Sequence, residues 1–228
     1  ELCRYIGGGI MKKIYILLVG AMALFSACHD PEYVLPTADH QGFTSLTAIF
    51  TSGPFVGQEM AKLNISENET SDRYIIQVPW YYPETSDNET AQYMTNVRVR
   101  AELQPNCTIE PGLGILDLTQ DNYFTYTNAQ GVQREICITG ERVKSNKCEL
   151  VAFNIVEPVI AGVVNKNTRK ISLISSDDLS ACLAEAQLSP HATISPDPSI
   201  DPINYNVPME FTVTAHNGVD KTVYTVVK

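Results

Sequence analysis

Basic residues are in short supply in this sequence. Sixteen Lys and Arg stand against 26 Asp and Glu, for a net charge of −10 and a pI of about 4.8. Nucleic acid rewards clustered positive charge, so it is excluded as a partner. Histidine is rarer still, with four residues. His29, His40, His191 and His216 are scattered, and none forms a His-x-x-x-His or His-Glu-x-x-His pair. No two cysteines form a Cys-x-x-Cys pair, so no metal site is expected. The chain also lacks a Gly-x-Ser-x-Gly elbow and a phosphate-cradling Gly-x-x-x-x-Gly-Lys loop. No cofactor is implied. Glycoside hydrolysis needs two carboxylates across a cleft, but Asp177 and Asp178, or Asp197 and Asp201, lie among turn residues where acids are common anyway. The chemical set of an enzyme is missing, so no catalytic residue is expected. Convincing amphipathic helices are missing as well.

What is present is the composition of a folded protein, 44% hydrophobic and 18% charged. A length of 228 residues fits one or two domains. Residues 1–10 precede Met11 and read as translated upstream sequence or an expression remnant, outside the fold. Met11-Lys12-Lys13 is a short basic start, and Ile14 to Ala27 is an apolar run too short to span a bilayer. It closes Leu24-Phe25-Ser26-Ala27-Cys28, which resembles a bacterial lipobox with Phe25 where Leu is usual. That resemblance implies lipidation of Cys28 and a membrane partner reached through the lipid. It also implies a cell-envelope location, at the outer membrane and surface-exposed. Cleavage before Cys28 leaves 13 positive against 25 negative residues, a net of −12. His29, Asp30, Pro31 and Glu32 then begin a tether, and this acidic start resembles surface-export signals of Bacteroidetes lipoproteins.

From about Gln41 the chain alternates short β-branched and aromatic runs with turn residues, the spacing of β-sandwiches. One pattern then occurs twice. Leu46–Phe50 matches Leu150–Asn154, Arg73–Val78 matches Arg169–Ile174, and Val97–Pro105 matches Cys182–Pro190. A Pro-x-x-Thr-Ile-x-Pro element follows at Pro105 and again at Pro190. Each copy closes with a hairpin, Phe124–Thr139 and Phe211–Val227, turning at Gly131 and Gly218. The alignment decides one ambiguity. Leu179–Gln187 is rich in helix formers, but its partner Val97–Leu103 alternates with period two, so both read as strands. Val97, Val99, Ala101 and Leu103 should face inward. In the hairpins the core is expected at Phe124, Tyr126, Ile136 and Ile138, and at Phe211, Val213, Val223 and Thr225.

The lipobox, the Ser/Thr-Ile-x-Pro element and the closing Phe211-Thr212-Val213-Thr214-Ala215 hairpin with Gly218, Lys221 and Tyr224 resemble the tandem Ig-like lipoproteins of Bacteroidetes, many of them domains of unknown function. The resemblance implies an all-β fold of two Ig-like β-sandwiches at the cell surface, and brings no catalytic residues. The expected organisation is 1–27 upstream residues and signal peptide, 28–40 tether, 41–140 first sandwich, 141–147 polar linker, and 148–228 second sandwich.

Cys107, Cys137, Cys148 and Cys182 remain after Cys3 and Cys28. An envelope location permits disulfides. Strand alternation argues against a Cys107–Cys137 bond, because Cys107 shares parity with Ile109 while Cys137 opposes Ile136 and Ile138. Cys182 reads as a small buried apolar residue. His216 falls in the hairpin turn and reads as solvated.

The two copies differ in one segment. Pro79–Tyr93 is an insertion, opposite only Ser175–Asp178 in the second copy, and Thr51–Ser71 extends the same end. The insertion holds the single Trp and three Tyr. Aromatic faces stack on sugar rings, and loops on a rigid scaffold commonly carry binding. Trp80, Tyr81, Tyr82 and Tyr93 are therefore the candidate ligand-binding residues. The alternative is that Trp80 and Tyr82 cover the sandwich's own edge or the domain interface. A non-catalytic surface lipoprotein binding glycans is the function expected, with a structural or adhesive protein meeting a surface protein partner as the alternative.

Overall fold

The structure, a computed structural model, describes residues 42–66, 69 and 71–228. These fall within one compact unit, Ala38–Lys228. The signal segment, Cys28, the tether with His29 and His40, and Gln41 lie outside the described residues. No described helix is long and apolar enough to cross a membrane.

The fold is all-β and built as two sandwiches. The first contains β1 (Phe43–Phe50), β2 (Glu59–Asn64), β3 (Arg73–Pro79), β4 (Val97–Leu103), β5 (Thr108–Glu110), β6 (Ile115–Leu116), β7 (Asn122–Thr127) and β8 (Gln133–Val143). Its sheets run β2-β1-β4-β6 and β3-β8-β7-β5. The second contains β9 (Leu150–Ile155), β10 (Ile160–Ala161), β11 (Val163–Asn165), β12 (Lys170–Ser172), β13 (Ala184–Leu188), β14 (Thr193–Ser195), β15 (Met209–Thr214) and β16 (Lys221–Val227). Its sheets run β10-β9-β13 and β11-β12-β16-β15-β14. Each sandwich closes over its own apolar cluster, from Phe43 to Ile138 and from Leu150 to Val226.

The repeat is real at the level of pairing. In both halves the third matched strand pairs antiparallel with the first, β4 on β1 and β13 on β9. The second pairs parallel with the last, β3 on β8 and β12 on β16. Ala184–Leu188 is a strand, as the alternation of its partner required. Val97 and Val99 are buried while Arg98, Arg100 and Glu102 are exposed. Asn106 and His191, each just after the matched Pro, both take positive φ, 68° and 59°.

Pairing also corrects the residue-level alignment. Leu46 opposes Ala101 and Phe153 opposes Ala186, so Leu46 corresponds to Phe153 rather than Leu150, whose counterpart is Phe43. A bulge in each pair sets that spacing. Tyr74 pairs with Ile138 and Ile171 with Val226, so Tyr74 corresponds to Ile171 and not to Lys170. In the second hairpin Tyr224 and Val226 are core, while Val223 is 43% exposed and Thr225 only half-buried. The cause is the turn. Thr127 pairs Gln133 across residues 128–132, whereas Thr214 pairs Lys221 across 215–220, one residue more. A shift of one residue moves every side chain of a strand to the opposite face.

The linker starts later than expected. Glu141, Arg142 and Val143 continue β8 because they pair with Gln77, Val78 and Pro79 of β3. All four described cysteines are free thiols. Cys137 lies under Arg73, whose Nη1 is 3.4 Å from its sulfur, on the face of β8 away from Ile136 and Ile138. Cys107 packs against the core, and Cys182 is buried in the second cluster.

Candidate functional site

The insertion leaves β3 at Pro79 and returns to β4 at Val97, eighteen residues (79–96) against six (176–181) between Ser175 and Cys182. Its chain is pinned at both ends. The Trp80 N–H donates to Val143 O at 2.9 Å, and Thr90 N–H donates to Trp80 O at 3.1 Å. An isolated bridge joins Tyr81 to Glu89. Arg142 donates to Glu89 Oε2 at 2.8 Å and lies over the Trp80 ring, 3.8 Å from its centroid.

The four aromatic candidates divide into two pairs. Tyr82 and Tyr93 pack into the first sandwich, with ring centroids 4.8 and 5.2 Å from Phe50. Phe55 of the Thr51–Ser71 segment stands 5.0 Å from Tyr82. Tyr93 is buried, and Gly53 must stay bare because a Cβ there would meet its ring at 2.8 Å. Tyr93 belongs to the first core and Tyr82 packs against it half-buried, so neither ring reaches the second sandwich as Tyr81 does. Tyr82 directly follows Tyr81 in the chain, and aromatic composition alone does not separate the two sets.

Trp80 and Tyr81 instead face the second sandwich. Tyr81 stacks on His191 at 4.1 Å and 23°, and on His216 at 5.4 Å and 26°. The imidazoles are 5.3 Å apart. Rings on opposite faces of Tyr81 would be separated by nearly the sum of their distances to it, so both share one face. The opposite face has no aromatic partner among the described residues. His216 is also 6.3 Å from Trp80 and edge-on to it. The turn histidine is thus half-buried at the junction rather than solvated, as its place in a turn had suggested. Burial lowers its pKa below the ordinary value, with Lys144 and His191 adding in the same direction.

Polar contacts complete the junction. Lys147 Nζ donates to Glu84 Oε2 at 2.6 Å, His191 Nε2 lies 3.1 Å from Ser86 O, and Asn217 N–H donates to Ser145 O at 3.1 Å. Between these contacts lies a cavity of about 530 Å³, lined by Trp80, Tyr81, Lys144, His191 and His216 among others. That volume is within the range of small-molecule sites.

Alignment of the repeat could have found His191, since it stands where Asn106 turns the chain with positive φ. Lys144 and Arg142 carried no such signal. Among the described residues no group of three His, Cys, Asp or Glu side chains could hold a metal. The turn carboxylates are used locally. Asp178 accepts from Asn206 and Ser180, and Asp197 from Ser199, which holds both carboxyls below their ordinary pKa. A general acid for glycoside cleavage needs the opposite shift.

Residues 23–140 match the family described as Domain of unknown function (DUF5018), which is more than half of the chain. The chain belongs to the DUF5018 family. Residues 150–228 of this DUF5018 protein match a second family, described as Domain of unknown function (DUF8499). No curated protein matches. Four solved chains match, among them the crystal structure of a "putative glycoside hydrolase" from Bacteroides thetaiotaomicron. Identity is 26%, over 38% of the DUF5018 chain and 26% of the other, with a TM-score of 0.33. The DUF5018 chain spans about a quarter of that protein's length, and a likeness this weak carries no argument about fold or activity.

Proposed function

We propose that this DUF5018 protein is a non-catalytic envelope lipoprotein, anchored through Cys28, that binds a glycan in the cavity between its sandwiches. The observation behind this reading is Tyr81. Its ring is held by two imidazoles and a backbone bridge, it lines a cavity of saccharide size, and its remaining face has no aromatic partner among the described residues. A pre-positioned ring loses little conformational freedom when a sugar stacks on it. Trp80 forms the adjoining wall, held by Arg142.

Glycan-array screening followed by calorimetry of the hits tests the site. Tyr81→Ala should lower affinity about tenfold, within the range of one aromatic contact, while Tyr81→Phe should retain it. Binding that is indifferent to both Tyr81 and Trp80 would remove the cavity from consideration. Capture of an envelope protein with no glycan affinity would favour the adhesive alternative. The anchor is tested separately by acyl labelling in cells: Cys28→Ala should lose the label, and a labelled variant would refute lipidation there.

A further inference from the structure

The cavity differs in charge from the protein that carries it. The chain has a net charge of −10, yet the cavity is lined by Lys62, Lys144 and Lys147 against one carboxylate, Glu84. Pairing separates these lysines. Lys147 is matched by Glu84 at 2.6 Å, and Lys62 by Glu102 at 3.6 Å. No carboxylate among the described residues forms an ion pair with Lys144. Its ammonium instead stands 4.9 Å from the Trp80 ring centroid, beside the aromatic wall. Burial, and after it the Lys144 charge, lowers the pKa of His216 on the same cavity wall. His216 adds a ring N–H that can donate to an anion, whereas the N–H of His191 is taken by Ser86 O.

An unmatched cation next to a stacking platform is the arrangement that recognises a charged sugar. Stacking is tolerant of which sugar is bound, and the ammonium supplies discrimination through a charge-assisted hydrogen bond. The net charge of −10 disfavours non-specific attraction of anionic polymers to the rest of the chain.

We infer that the junction cavity takes an anionic saccharide, one bearing carboxylate or sulfate groups, with Lys144 as the anion's partner and the face of Tyr81 away from the imidazoles under a sugar ring. This rests on the glycan reading of the cavity and narrows it to a ligand class.

The test uses the purified full-length protein and matched pairs of ligands. Oligogalacturonates are compared with their methyl esters, and sulfated galactan oligosaccharides with their desulfated forms, within a panel of neutral glycans. Acidic members should bind about tenfold tighter than their neutral partners, the ratio of a charged to a neutral hydrogen bond. The preference should shrink as NaCl is raised from about 0.05 to about 0.5 M. Lys144→Gln should reduce the preference to about twofold or less. The carboxylate and sulfate arms distinguish the two sources of charge. Tyr81-dependent binding with equal affinity for charged and neutral partners would overturn the charge assignment and leave the glycan reading standing. A preference that survives Lys144→Gln would overturn the role of Lys144. Absence of binding across the whole panel at millimolar concentration would overturn both readings.

Discussion

Tyr205 is fully buried against Phe153 and Phe211, and its hydroxyl has no hydrogen-bond partner among the described residues. A buried hydroxyl without a partner opposes folding, so the group is a weak point of the second core. Tyr205→Phe should therefore be neutral or stabilising by about 1 kcal/mol at pH 7, read from urea denaturation. Burial also pushes the Tyr205 phenol up to about 12 from an ordinary 10.0. A raised pKa means that the folded state holds the proton more tightly than the unfolded state. Its contribution is complete below pH 10 and is lost as pH rises towards 12. Tyr205→Phe should flatten the decline in stability over that window. Burial raises the Tyr74 phenol to about 12 as well, which leaves a residual slope in the variant. An unchanged slope would show that Tyr205 ionises as freely in the fold as in the unfolded chain.

At the scale of elements, the insertion has two jobs divided along its length. Its C-terminal half fills the first core through Thr90, Tyr93 and Met94. Its N-terminal half places Tyr82 on the first core as well, and docks Tyr81 and Ser86 on His191 of the second sandwich and Glu84 on Lys147 of the connection. The connection after Val143 carries two trypsin sites, Lys144 and Lys147, both held by this docking. Each aromatic pair lost is worth about 0.5–1.5 kcal/mol. Tyr81→Ala loses two such pairs and should speed cleavage at Lys144 and Lys147 by roughly five- to a hundredfold, because proteolysis follows the population of the open form. Mass spectrometry of timed digests gives the sites. Cleavage at the wild-type rate would mean that the polar contacts alone secure the junction. The hairpins show how little separates two copies of one element. One extra turn residue exchanges Val223 for Tyr224 as the core residue, although both sequences alternate apolar and polar side chains.

For the whole molecule, two closed cores joined by a short connection predict two units able to fold. The second cluster draws only on residues from Leu150 to Val226, with partly buried support from Cys148 to Met209. Residues 148–228 alone should unfold cooperatively with a stability of about 3–5 kcal/mol, the usual yield of one small core. Circular dichroism with thermal melting checks this. A fragment without a cooperative transition would show that the second sandwich depends on the junction for its stability. The intact chain should be more stable than the fragment, because Tyr81, Glu84 and Ser86 bind only the docked form.

Much of this was legible in the sequence. Alternation and turn residues determined the strands, and repetition determined that β4 and β13, or β3 and β12, occupy equivalent places. Local chemistry sufficed because a strand's two faces are written in its own residues. The same signal could not fix registers across bulges and turns of unequal length, as the displaced counterparts of Leu46 and Tyr74 show. Nor could it tell which ring of the insertion turns inward. Only tertiary structure separated Tyr82 and Tyr93, packed on Phe50, from Trp80 and Tyr81, set against His191 and His216. Those partners are more than one hundred residues away along the chain. No local pattern records a contact of that range, because it depends on how the second sandwich closes against the first.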